Sequence, residues 1–267
     1  MLRAWRLVRN VARRFGAEHY AQTAAALSFA TLLGLVPMVV VGAALLEWLP
    51  FGVKLSAVLE RFLLDTLLPE KAGQVIAKHL AAFAQRAERV TWIGLAFLMV
   101  TALMQMLTIE RSFAAIWKVK KPRPLVKRVG LHLLTLLLGP LAFGSALAST
   151  TYLATVSFGW VAEARWMRLL FSEALPPFFL ALLFGLLYWA LPNRAVSRWH
   201  AAFSGILTAL AFVGMQRLFA LYIVKLPTYA LIYGAFAALP IFLLWLYLSW
   251  TVILIGALIT AELPHSA

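Results

Sequence analysis

The chain has 267 residues, of which 63% are hydrophobic, with a mean hydropathy of +0.88 and a formal charge of +14. Soluble domains are nearer half apolar, so the excess must face lipid, and an ordinary soluble globule is excluded. There is no cysteine, which removes disulfides, thiol catalysis and thiolate metal sites.

Residues 1–23 interleave Arg3, Arg6, Arg9, Arg13 and Arg14 with Leu2, Trp5, Leu7, Val8, Val11 and Phe15. This pattern predicts a basic amphipathic helix lying on an anionic cytoplasmic membrane surface. A first span follows at 24–46. It is too long for the apolar core of a cleavable signal and is read as an anchor, with Pro37 breaking its hydrogen-bond ladder locally. Residues 47–89 mix five acids and six bases with apolar residues at helical spacing. They read as two short amphipathic helices, a hairpin on the outer face.

The second span is 90–109, ending at Glu110-Arg111 and continuing as helix to Trp117. Residues 118–128 (KVKKPRPLVKR) hold six bases and no acid. The third span is 129–156, with Pro140 inside. The fourth, 174–191, opens on Pro176-Pro177, which a first helical turn tolerates. The fifth is 201–224 and contains Gln216 and Arg217. The last, 235–258, lies within an uncharged run that begins at Pro227-Thr228-Tyr229 and contains Pro240. About 20 apolar residues cross a bilayer core. The expected architecture is therefore all-α: one polytopic membrane domain with six transmembrane helices and both termini cytoplasmic. Charge agrees with that orientation. The segments assigned to the cytoplasm hold fourteen bases and three acids, those assigned outside nine bases and seven acids, as positive-inside requires. Spans three and six share a proline-centred core and run in opposite directions, a faint sign of an inverted repeat.

Several strings resemble the YihY/BrkB family of bacterial inner-membrane proteins. They are Ala26-Leu27-Ser28-Phe29-Ala30-Thr31-Leu32-Leu33 with Leu35-Val36-Pro37; Thr108-Ile109-Glu110-Arg111-Ser112-Phe113 with Ile116-Trp117; and Leu191-Pro192-Asn193. The last is Pro227-Thr228-Tyr229 through Tyr233-Gly234-Ala235 to Leu244-Trp245-Leu246-Tyr247-Leu248-Ser249-Trp250. They occur in the family's order over nearly the whole chain. The resemblance implies a six-helix inner-membrane protein linked to envelope integrity and suspected of moving lipid-like molecules. The older label of ribonuclease BN is regarded as mistaken. The family carries Gly-Ala-Glu near the end of its last span. Here the string is Gly256-Ala257-Leu258, and Glu262 lies one helical turn further on the same face.

The residues themselves argue against an enzyme. Metal-assisted phosphodiester hydrolysis needs converging carboxylates. Asp65 is the one aspartate, and the five histidines have no metal-site spacing. Ribonuclease activity is therefore rejected, and no metal, cofactor or nucleic-acid partner is expected. Arg217 has two readings that the sequence leaves open. It snorkels to the outer headgroups, or it is a buried cation facing a polar cavity that takes an anionic headgroup. Gln216 points elsewhere and suits an interhelical hydrogen bond. Trp245, Tyr247 and Trp250 lie mid-span, as helix packing or as the lining of an acyl-chain groove. Glu110, Arg111 and Glu262 mark the cytoplasmic mouth, as helix-end anchors or as a headgroup contact. Pro37, Pro140 and Pro240 are the expected helix breaks. The functional expectation is a carrier, flippase-like, for an anionic amphipathic lipid or lipid-linked molecule, passive or ion-coupled. The alternative is a non-transporting envelope scaffold. Membrane lipids are the expected partners, and a homo-oligomer or an envelope partner is left open.

Overall fold

The computed structural model describes residues 2–47, 92–119, 124, 175–224 and 238–266. The chain divides into two compact units. One comprises Met1–Leu32, Leu107–Arg123 and Leu175–Ala267, the other Leu33–Met106 and Pro124–Ala174. The described residues form six helices and no strand: α1 (Leu2–Ala17), α2 (Tyr20–Glu47), α3 (Trp92–Ile116), α4 (Leu175–Ala190), α5 (Arg198–Val224) and α6 (Ala238–Ser266). The all-helical expectation therefore holds for these residues. Two stretches among them, Arg198–Ile223 and Leu239–Pro264, are long and apolar enough to cross a membrane. The hairpin expected at 47–89, the span at 129–156 with Pro140, and the opening of the last span lie outside the described residues, apart from Glu47, which ends α2.

Helix α1 forms where the sequence predicts a helix, with Val11 buried and Trp5 and Val8 exposed. A two-residue turn, Glu18-His19, joins it to α2, with His19 in the left-handed region at φ 56°. Pro37 lies within the bounds of α2, and Pro240 is the third residue of α6. Residues 225–237, just before Ala238, lie outside the described residues. Pro176 and Pro177 are the second and third residues of α4.

In the first unit, α4 and α5 form a close hairpin and α6 packs on α5. Gly205 makes the hairpin possible. A β-carbon there would sit 2.6 Å from the Gly185 nitrogen and 2.7 Å from the Ala181 carbonyl oxygen, both backbone atoms that cannot swing aside. The space between the three helices is filled by rings. Trp245 of α6 packs against Phe212 and Phe219 of α5 at centroid distances of 5.8 and 5.0 Å, and Phe184 of α4 meets Phe212 at 5.7 Å. Offset and edge-on pairs at such distances add to simple area burial.

Some polar groups inside this apolar packing find one another, whereas the Ser204 and Ser249 hydroxyls are buried without a partner among the described residues. The Tyr188 hydroxyl of α4 lies 2.9 Å from the Ile253 carbonyl oxygen of α6 and 3.1 Å from the Thr208 hydroxyl of α5. Thr208 donates to the Ser204 carbonyl at 2.7 Å. Tyr188 thus bridges three helices with one phenolic proton. Gly256 leaves the room for it, because a β-carbon there would collide with both Thr208 Oγ1 and the Tyr188 hydroxyl. In the first half of α2, Thr31 Oγ1 accepts from Trp250 Nε1 at 2.9 Å. In the second unit, the buried Gln105 side chain of α3 lies directly over the Gly34 backbone of α2.

Candidate functional site

Among the described residues of the first unit, a strongly polar junction is built on Arg14. Arg14 is in the last turn of α1, where a cation is favoured by the helix dipole, and its side chain is only 14% exposed. Its guanidinium forks over three elements. Nε donates to Glu18 Oε1 at 2.9 Å and Nη2 to Glu18 Oε2 at 3.1 Å, a bidentate pair. Nη1 donates to Glu262 Oε1 of α6 at 2.7 Å, and Nη2 also donates to the Ile116 carbonyl of α3 at 2.9 Å. Only a planar fork of five fixed donors can do this, so lysine would not replace it.

The Ile116 carbonyl is available for a structural reason. Helix α3 ends with Trp117 N–H donating to the Phe113 carbonyl, Lys118 N–H to Ala115 and Val119 N–H to Ala114. That pattern is a Schellman ending, with Lys118 as the left-handed residue at φ 50°. It uses the neighbouring carbonyls and leaves that of Ile116 over. Arg14 takes it, placing a cation at the negative end of α3. Glu18 completes the frame by accepting from the Tyr20 hydroxyl at 2.8 Å.

The electrostatics follow from these bonds. Hydrogen bonding from Arg14 pulls the Glu18 carboxyl down to about 2, against a smaller opposing effect of burial. For Arg14, desolvation works against the charge, but the hydrogen bonds to Glu18 and Glu262 outweigh it and raise the guanidinium above its ordinary value. Both groups are thus locked in their charged forms. Lys118 is looser. Its Nζ is 3.6 Å from Glu18 Oε1 and its side chain is 72% exposed. A half-open cavity of about 330 Å³ sits here, at the small end of ligand-binding cavities. Its polar lining is Asn10, Arg13, Arg14, Glu18, Lys118 and Glu262. Three cations face two carboxylates, so the cavity has a formal charge of +1.

Of the residues singled out in the sequence, Glu262 belongs to this junction. Leu258, where the family pattern has an acid, is fully buried; the acid one turn later reaches Arg14 instead. Glu110 is buried on α3 and Arg111 is exposed beside it; neither lines the cavity. Arg217 is exposed and Gln216 half-buried on α5. Trp245 is 2% exposed inside the ring cluster. Tyr247 is half-buried, and Trp250 is tied to Thr31. The cavity contains none of these five. Arg14 and Glu18, which hold the junction together, were not singled out. Their i, i+4 spacing was the available signal. Their partner, 248 positions away, left none. Among the described residues, no group of three or more His, Cys, Asp or Glu converges.

Comparison with known proteins adds the family. Residues 11–267 match the virulence factor BrkB family. The chain belongs to that family. It is similar to a UPF0761 membrane protein of Azoarcus sp. (strain BH72), 48% identical over 257 residues, covering 96% of this chain and 63% of the relative. A UPF0761 membrane protein of Aromatoleum aromaticum is 46% identical with the same coverage, and one of Pseudomonas aeruginosa 38% identical, covering 97% of this chain and 62% of the relative. The chain thus spans about three-fifths of the length of the curated relatives it matches. No solved structure matches. With these relatives and its long apolar helices, this BrkB-family chain is a membrane protein.

Proposed function

We propose that the chain carries an anionic amphipathic lipid, or a lipid-linked molecule, between the leaflets of a bacterial inner membrane, with both its ends on the cytoplasmic side, in maintenance of the envelope. The observation that supports this most is the half-open cavity of net positive formal charge, lined by Arg13, Arg14 and Lys118, in a unit otherwise built of apolar helices. A cationic hollow beside apolar helices suits a molecule with a charged head and apolar tails. The sequence has no phosphate-binding glycine loop for a nucleotide, and on this reading carriage is passive or ion-coupled.

The test is leaflet exchange in proteoliposomes with fluorescent anionic and zwitterionic reporter lipids. Exchange that requires the protein and prefers the anionic reporter is the expected result. Exchange no faster than in protein-free liposomes, with every reporter, overturns the carrier. A second reading, a non-transporting scaffold, draws support from the α4–α5–α6 packing, where rings from all three helices fill the interior. Absence of exchange together with capture of an envelope protein would favour it.

A further inference from the structure

Lys118 holds a backbone conformation that lysine does not favour. At φ 50° its β-carbon crowds the following carbonyl, a strain of about 1 kcal/mol that glycine escapes. Glycine is the usual residue at this position of a Schellman ending. Its side chain gives little back to the fold. It is 72% exposed, and its contact with Glu18 is 3.6 Å long, a solvent-screened pair of small worth. The turn alone therefore does not account for lysine here. What lysine does is add an ammonium to the lining of the cavity. Strained non-glycine residues of this kind gather at functional sites.

The remaining charges sort into a frame and a pair of spare cations. Four hydrogen bonds bind Arg14 to Glu18, Glu262 and the Ile116 carbonyl. Arg14 thereby balances one of the two carboxylates and fixes both. Arg13, its exposed neighbour, and Lys118 come from different elements and line the same hollow, with the Asn10 amide beside them. We propose that this cavity binds a phosphomonoester headgroup of a lipid, with Arg13 and Lys118 as its charged contacts and Asn10 as a neutral donor.

A phosphomonoester fits better than other anions for three reasons. Its charge of about −1.5 to −2 matches two cations and reverses the formal +1 of the hollow. Its three terminal oxygens serve donors arriving from two directions, one of them a guanidinium suited to bidentate contact. The volume exceeds that of a bare phosphate and leaves room for the adjoining glycerol. The lipid source is argued from α1. Trp5, Val8 and Ala12 share one face at i, i+3 and i+7 and are exposed, and Arg6, Arg9 and Arg13 are exposed as well. An apolar stripe flanked by arginines seats a helix among anionic headgroups, and Arg13 belongs to both that surface and the cavity.

The inference deepens the carrier reading and rests on it only in taking the bound lipid as cargo. Its test uses the full chain in detergent micelles, with native mass spectrometry of bound short-chain phosphatidic acid, phosphatidylcholine and inorganic phosphate. Phosphatidic acid is expected to bind about tenfold or more tightly than phosphatidylcholine, and inorganic phosphate to compete weakly. Lys118→Gly separates the structural role from the binding role. It relieves the left-handed strain, so its unfolding temperature should equal or exceed that of the native chain, while its affinity for phosphatidic acid falls about tenfold. Arg13→Gln should weaken binding likewise at unchanged stability. Native affinity in both variants, or a Lys118→Gly chain that unfolds at lower temperature, overturns the proposal. Inorganic phosphate binding as tightly as phosphatidic acid overturns the lipid source. Leaflet exchange tells the two readings apart. Lys118-dependent binding without exchange removes the carrier and keeps the site. Exchange with Lys118-independent binding removes the site and keeps the carrier.

Discussion

Replacing Arg14 by Met keeps the apolar stem and removes the fork. The change leaves the Glu18 and Glu262 carboxylates facing one another without their shared cation, and the Ile116 carbonyl without its donor. Hydrogen bonds to charged groups are each worth about 1.5–3 kcal/mol, and breaking a buried ion pair costs about 3–5 kcal/mol. The cavity is half-open, and water partly replaces the lost donors. We therefore expect a loss of about 2–3 kcal/mol for Arg14→Met, near the lower bound of that range. Glu262→Gln alone should cost less, because Glu18 still holds the guanidinium bidentately. The assay is reversible denaturation in mixed micelles for the two single variants and their double. Residues sharing one ion-pair network couple by about 0.5–3 kcal/mol. A coupling of about 1–2 kcal/mol is expected for this pair, whose side chains are each 14% exposed. A coupling near zero, or a single-variant cost for Arg14→Met below about 0.5 kcal/mol, the usual size of a surface change, would refute the role assigned to the junction.

Four further outcomes can be checked on the same material. Glu18 titrates at about 2 in the folded chain against an ordinary value of 4.5. A depressed carboxylate contributes fully above its unfolded value and is lost as pH falls through the folded one. Stability should thus decline from about pH 4.5 towards 2, and Glu18→Gln should flatten that decline in acid denaturation profiles. Gly205→Ala forces a methyl against the α4 backbone and should cost about 1–3 kcal/mol, whereas Tyr188→Phe, losing the hydroxyl shared between Ile253 and Thr208, should cost about 1 kcal/mol; unfolding measurements give both. Arg217→Ala, at an exposed position, should change the leaflet-exchange rate by no more than about twofold, the kinetic equivalent of a surface substitution; a larger loss would make Arg217 a lipid contact.

Local patterns were the legible part of the sequence. The arginine-apolar alternation of residues 2–17 marks α1, and apolar runs mark the bodies of α2 to α6, because each is a repeat of chemistry along one element. The expected second span stops at 109, but α3 continues to Ile116, which the helix continuation to Trp117 anticipated. The expected break at Pro240 falls two residues after Ala238, and residues 225–237 lie outside the described residues. The junction was illegible for a different reason. Glu262 looked like the displaced acid of a family pattern, yet its position is explained by Arg14, far away in sequence and close in space. A left-handed Lys118 cannot be read at all from composition, since lysine is not the residue that conformation favours. Aromatic residues gave a mixed outcome. Trp245 and Trp250 stand five apart in one span, and only coordinates separate the ring buried against Phe219 from the one that donates to Thr31.

The measurement that bears most directly on the account is leaflet exchange of a phosphatidic-acid reporter in proteoliposomes holding either the native chain or the double variant Arg13→Gln, Lys118→Gly. The account predicts protein-dependent exchange for the native chain and a fall to the protein-free rate for the double variant, with the two proteins equally folded by circular dichroism. Equal exchange by both would contradict it, because the cationic cavity would then have no part in carrying lipid.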